Sequence, residues 1–329
     1  MAKDSNTPFI ARPQWEKHYK GWHIVDCAVR DRNIVYLVAR PDLDVEKQSS
    51  TWDHDIGTRL LSIYLDEQNV EKRHGWSELD GFNRPRCGVS RKPIAQALVV
   101  ARNNEGSVYS IGGGKPGAME RIGTDLNPIT QRVKCIDGYA YSVGRNRKIF
   151  KRVAVGRWER LEGLPKPGEG EISDVGFNDM DGLSEKELYA VGAGGDVWRY
   201  EGKKWTRCDF PSNEQLGTVT VGPDGKVYIS GEGGNLWIGS KDTWKQVYKG
   251  ESSLLNNSSV WFENQLWLCS DYQLRVWDGK EVRRPQHNGV DVVYTGHMDA
   301  YDGLLVIASL YDVNAYDGKS WKTLVAPYS

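Results

Sequence analysis

GAGGDVWRYEGKKW, residues 192 to 205, follows the apolar run Leu188-Tyr189-Ala190-Val191, and the three glycines at its start admit two readings. A glycine-rich loop cradles phosphate when it closes a strand and opens a helix. The same glycines also serve a tight turn that asks only for their backbone freedom. The first reading points to an enzyme, the second to a scaffold.

Self-comparison separates the two. Sliding the stretch by 39 residues places GEGGNLWIGSKDTW (231 to 244) beneath it without a gap, and sliding by 116 does the same for ASLYDVNAYDGKSW (308 to 321). SDYQLRVWDGKEV (270 to 282) lies between them, and GRNRKIFKRVAVGRW (144 to 158) is a degenerate earlier copy. The apolar flanks recur and the glycines do not, while no amphipathic helix follows. A phosphate loop is needed once, so this is a hairpin turn used repeatedly. GGGKPG (112 to 117) fails as a phosphate loop too, because Pro116 occupies the position of the required Ser or Thr.

In this register a family of strands emerges, centred on Tyr36, Tyr109, Tyr141, Tyr189, Tyr228, Trp267 and Leu305, with final intervals of 48, 39, 39 and 38 residues. Each is preceded by a short apolar strand and followed by a hairpin and a fourth strand. Four strands in about 40 residues define a β-propeller blade. The expected fold is therefore all-β: a seven-bladed β-propeller with four antiparallel strands per blade, in one domain over 1–329 with an N-terminal arm over 1–19. The blades fall near 20–78, 92–128, 130–162, 172–209, 216–248, 257–284 and 290–325. Six or eight blades stay open, since 73 residues separate Tyr36 from Tyr109.

Composition agrees. There are 13 Trp and 16 Tyr against 6 Phe, with 36 Gly, a mixture suited to short strands and tight turns. Trp158, Trp205, Trp244 and Trp321 recur at one place in the unit and are expected to fill the wedge between adjacent blades. Lys+Arg 43 against Asp+Glu 44 gives no bulk pull toward nucleic acid. Cys27, Cys87, Cys135, Cys208 and Cys269 are odd in number and unpaired in spacing, as free thiols in a reducing compartment would be. No apolar run suits an export signal or a membrane span, so a cytoplasmic, monomeric protein is expected.

The units GAGGDVWRYEGKKW (192 to 205), YDGKSW (316 to 321) and GEGGN (231 to 235) resemble bacterial Asp-box or BNR-like repeats and the propeller repeats of two-component regulators. The resemblance covers about residues 130 to 325 and speaks to architecture. Bacterial proteins of this type include polysaccharide enzymes, assembly factors, sensor ectodomains and immunity proteins that neutralise toxins.

Catalytic constellations are sparse. His18, His23, His54, His74, His287 and His297 show no metal-binding spacing. In WDHD (52 to 55) an extended chain puts Asp53 and Asp55 on one face and His54 on the other, which favours a solvated loop over a metal site. A sialidase-type site would need an arginine cluster, for which Arg132, Arg145 and Arg147 are the candidates.

The loops carry more information. Turns between second and third strands share one face, here the first face, with the blade-to-blade connections. That face carries the irregular segments 40 to 58, 77 to 93, 163 to 171, 249 to 259 and 284 to 291. Long loops on a rigid scaffold are where binding residues collect. Segment 40 to 58 is acidic, through Asp42, Asp44, Glu46, Asp53 and Asp55, with His54 beside them; segment 77 to 93 is basic, through Arg84, Arg86, Arg91 and Lys92. Lobes of opposite sign suit a protein partner, with Trp52 as the aromatic anchor. The expected function is a non-enzymatic, cofactor-free immunity protein that occludes a bacterial toxin. The alternatives are a carbohydrate-active or lactonase-like enzyme working at the channel mouth, and an assembly scaffold.

Overall fold

Seven four-stranded antiparallel sheets, each a meander in chain order, make up the structure, a computed structural model that describes residues 7–123, 128–166, 175–251 and 254–328. The sheets cover 22–79, 86–121, 130–160, 177–207, 216–248, 258–283 and 297–325. The first strand of each sheet packs on the first strand of the next, and His297–Tyr301 packs back on Trp22–Asp31, so the ring closes. All seven first strands line one central cavity of about 220 Å³. This is a seven-bladed β-propeller.

The second strands show why. Leu188–Val191, Leu304–Ala308 and Val35–Ala39 are buried at every position, because a neighbouring blade covers each face of the sheet. The repeated tryptophans pack at these junctions. Trp158 lies with Leu98 and Val108 of blade 2, and Trp205 with Ile136 and Tyr141 of blade 3. Trp244 meets Phe210 edge-on at 5.4 Å, and Trp321 stacks on Tyr316 at 4.8 Å while touching Trp267 of blade 6. The glycines of the decisive stretch are a turn: Gly194 and Gly233 have φ of +67° and +71°, a region that side chains with a Cβ resist.

A first strand is an edge, and an edge must dispose of unpaired amides. Here carboxylates of one blade accept them from the next. Asp26 accepts from Cys87 N at 2.9 Å, Asp179 from Val219 N at 3.1 Å, Asp181 from Val221 N at 2.8 Å and Asp299 from Val29 N at 2.7 Å. Burial raises the carboxyl groups of Asp181 and Asp299 above the usual range, with Lys134 and these amides pulling the other way. A Cβ at Gly88 would meet Val133 Cγ1 at 2.4 Å, so glycine is what lets blades 2 and 3 approach here.

One expectation needs correction, and one question the sequence leaves open is answered. Blade 2 does not begin at 92: its first strand is Arg86–Ser90, inside the stretch read as loop 77 to 93, and its outer strand is Lys115–Arg121. Arg86 therefore belongs to the first strand of blade 2 rather than to a loop. The N-terminal arm, whose contribution the sequence leaves open, clasps the ring. Phe9 N and Ile10 N donate to Thr323 O and Leu324 O of blade 7, while Arg73 of blade 1 donates to Phe9 O at 3.3 Å.

Candidate functional site

The first face of blades 6, 7, 1 and 2 is cut by a groove of about 1020 Å³. One wall is the segment between the second and third strands of blade 1. It contains a short helix, Val45–Ser50, capped by Asp44, which accepts from Lys47 N at 2.8 Å. Buried Arg40 holds the segment from beneath, donating to Asp53 O at 2.7 Å and Ile56 O at 3.1 Å. Asp53 accepts from Arg84 N at 2.7 Å, which ties the acidic loop to the blade 1–2 connection. Asp42 accepts from the Tyr311 hydroxyl and pairs with His23, both at 3.1 Å. Glu46, His54 and Asp55 reach solvent, and Trp52 is 74% exposed, stacked on His54 at 6.4 Å.

The structure divides the basic set. Arg84 lies at the groove, and Arg86 lines it from the channel mouth while donating to Gln131 O at 3.1 Å. Burial lowers the pKa of the Arg86 guanidinium, against the pull of Asp26. Arg91 and Lys92 do not join them. They follow the first strand of blade 2 and emerge on the opposite face, because a five-residue strand carries the chain across the molecule. There Arg91 donates to Val29 O and Arg30 O and covers the Tyr301 ring at 3.3 Å, and Lys92 pairs with Asp137 at 3.0 Å. The expected basic lobe thus splits between two faces.

Three residues that loop length and charge do not flag stand on the groove: Tyr272, Leu310 and Tyr311, exposed by 75%, 57% and 47%. They occupy the turn that in blades 4 and 5 is glycine. In blade 6 the turn is closed without the tyrosine side chain, since Ser270 Oγ accepts from Tyr272 N and Gln273 N, whereas in blade 7 the Tyr311 hydroxyl reaches Asp42. The aligned repeat carried the signal: SDYQ and SLYD hold tyrosine where AGGD and EGGN hold glycine.

Other segments contribute less. Residues 284 to 291 contain a two-stranded hairpin, Gln286–His287 against Val290–Asp291. Parts of 163 to 171 and of 249 to 259 lie outside the described residues.

Of the arginines of the enzyme alternative, Arg132 and Arg147 pair with different carboxylates. Arg132 lies 3.6 Å from Asp179 and donates to Asn257 O, while Arg147 donates to both oxygens of buried Asp196. Among the described residues, no three His, Cys, Asp or Glu side chains gather as metal ligands, and no helix is long and apolar enough to cross a membrane.

The chain is 29% identical over 239 residues to the immune protein Tsi7 of Pseudomonas aeruginosa, covering 71% of this chain and 77% of that one. Among solved structures, the WD40 propeller domain of Doa1 superposes with a TM-score of 0.58 at 13% identity, covering 88% of this chain and 90% of Doa1's. YCF48 bound to D1 peptide superposes with a TM-score of 0.55 at 16% identity, covering 89% and 91%. These two share the fold. No family model matches the chain.

Proposed function

We propose that the protein is an immunity protein that neutralises a bacterial toxin by binding it across the first face, without catalysis. The similarity to Tsi7 supports the class. The observation that supports the location is the set of exposed side chains at Tyr272, Leu310 and Tyr311, in turns that blades 4 and 5 build from glycine. Exposed aromatics beside charged groups are what a protein interface uses as anchors. Trp52 and the acidic residues Glu46 and Asp55 extend the surface across blade 1, and Arg84 supplies charge of the other sign. Binding there covers the toxin's active site or docking surface. The five cysteines, all free, fit action in the reducing cytoplasm. The blades are diverged Asp-box-like units in this reading, supported by Asp278 and Asp317, whose carboxylates hold the turns between third and fourth strands.

The test is co-expression with candidate toxins, beginning with any encoded beside the gene, scored as host survival. The wild type protects; Tyr272→Ala/Leu310→Ala/Tyr311→Ala folds with an unchanged melting temperature and loses protection by at least tenfold. Equal protection by the triple variant refutes the location, and no protection by the wild type refutes the function.

A further inference from the structure

The charges of the first-face groove are unevenly partnered. Four carboxylates line it, and each accepts a hydrogen bond from the protein itself: Asp42 from the Tyr311 hydroxyl, Asp53 from Arg84 N, Asp271 from Asn257 Nδ2 and Asp312 from Asn314 Nδ2. Buried Arg40 is engaged by the carbonyls of Asp53 and Ile56. Two guanidinium groups on the blade 1–2 side of the groove differ. That of Arg84 is exposed and has no hydrogen-bond or ion-pair partner among the described residues. Arg86 is half-buried; its Nε–H donates to Gln131 O, and no carboxylate pairs with it among the described residues. Arg84 and Arg132 act on it as like charges, which together with burial lowers its pKa against the pull of Asp26. A half-buried cation facing cations is an ion pair that lacks its anion. The backbone adds a second sign. Arg84 holds a φ of +38° directly before Pro85, in the left-handed region where glycine sits without cost. Strain kept at a non-glycine residue points to a use for its side chain.

We propose, on the footing of first-face binding, that the corner formed by Arg84 and Arg86 receives the carboxylate of an aspartate or glutamate side chain of the protein partner. A guanidinium presents parallel N–H donors that match a carboxylate, so an arriving carboxylate turns the repulsion between the two arginines into a shared attraction. The groove's own carboxylates are already engaged and do not compete for them. The setting fits a protein rather than a free anion: exposed Tyr272, Leu310 and Tyr311 line the same groove, whose volume of about 1020 Å³ admits several side chains at once. The acidic residue sets specificity, because a partner lacking it leaves the Arg86 charge half-buried and unpaired.

The experiment is an NMR titration of the full-length protein, read at the arginine Nε–H resonances, with acetyl-Gly-Glu-Gly-amide and its glutamine counterpart. The glutamate peptide shifts Arg84 and Arg86 saturably, with a dissociation constant in the millimolar range, and leaves exposed Arg157 of blade 3 unmoved. The glutamine peptide binds at least tenfold more weakly. Arg84→Gly keeps the amide that Asp53 accepts and relieves the positive φ, so it melts no lower than the wild type yet weakens the glutamate peptide at least tenfold. In the co-expression assay Arg84→Glu lowers protection at least tenfold. Equal shifts with both peptides, or no saturable shift at Arg84 and Arg86, overturn the proposal. Saturable glutamate binding with full protection by Arg84→Glu overturns it as well, by assigning the corner to a free anion. The titration needs no toxin, and neither substitution touches Tyr272, Leu310 or Tyr311. A failure here beside lost protection in the triple variant therefore removes the carboxylate and leaves first-face binding standing.

Discussion

Arg152 is fully buried between blades 2 and 3. Its guanidinium donates to both oxygens of Glu120 and to Gln96 Oε1, and Trp158 Nε1 donates to Glu120 at 3.2 Å. Burial alone would raise Glu120, but these bonds prevail and hold its carboxyl below the usual range. Removing one partner strands the other charge in a dry site. Arg152→Met is therefore expected to cost about 3–5 kcal/mol in urea denaturation, and adding Glu120→Gln to recover part of it. His297 offers a pH test at the channel mouth. Burial lowers its pKa from 6.5 to about 4, Asp26 opposing and Arg86 and Arg132 adding to the shift. The unfolded chain then binds the extra proton first, so stability from neutral His297 is complete above pH 6.5 and lost as pH falls toward 4. Asp181 and Asp299, whose pKa values are raised, act in the opposite sense, so the informative quantity is a difference between proteins. The melting temperature of His297→Gln is expected to fall less steeply from pH 6.5 to 4 than that of the wild type.

Among elements, strands with apolar centres and a tyrosine were legible because burial on both faces imposes that pattern. Blade 2 was misplaced for an equally physical reason. Its first strand, RCGVS, is short and carries the glycine that lets Val133 approach, and its outer strand, KPGAMER, is exposed at nearly every position and has no tryptophan. Neither looks like a strand when read alone. The N-terminal arm was likewise invisible, because its role depends on meeting blade 7 some 310 residues later in the chain. Ile10 is 1% exposed in that seam. Ile10→Ala is expected to cost about 2–5 kcal/mol and to speed amide exchange in Trp321–Val325 first; unchanged exchange there would show that the arm is not a clasp.

At the scale of the whole molecule, propeller symmetry is what makes departures from it readable. Four channel carboxylates repeat one task, accepting amides across blade junctions. Asymmetry is concentrated on the first face, where blades 6, 7 and 1 carry Tyr272, Leu310, Tyr311 and Trp52 while blades 4 and 5 carry glycine turns. The sequence reading placed the expected binding face by loop length, which led it to the 40 to 58 segment of blade 1. It assigned Arg91 and Lys92 to that face because a five-residue strand was hidden in an apparent loop. It overlooked the tyrosines because a four-residue turn looks stereotyped until its copies are aligned. The most direct test of first-face binding is hydrogen–deuterium exchange of the protein alone and in complex with its toxin. Protection is expected at 42 to 56, 270 to 273 and 309 to 312, with the opposite-face turns 136 to 138, 223 to 225 and 301 to 303 unchanged. A stable complex that protects those opposite-face turns and leaves 270 to 273 and 309 to 312 exchanging freely would contradict it.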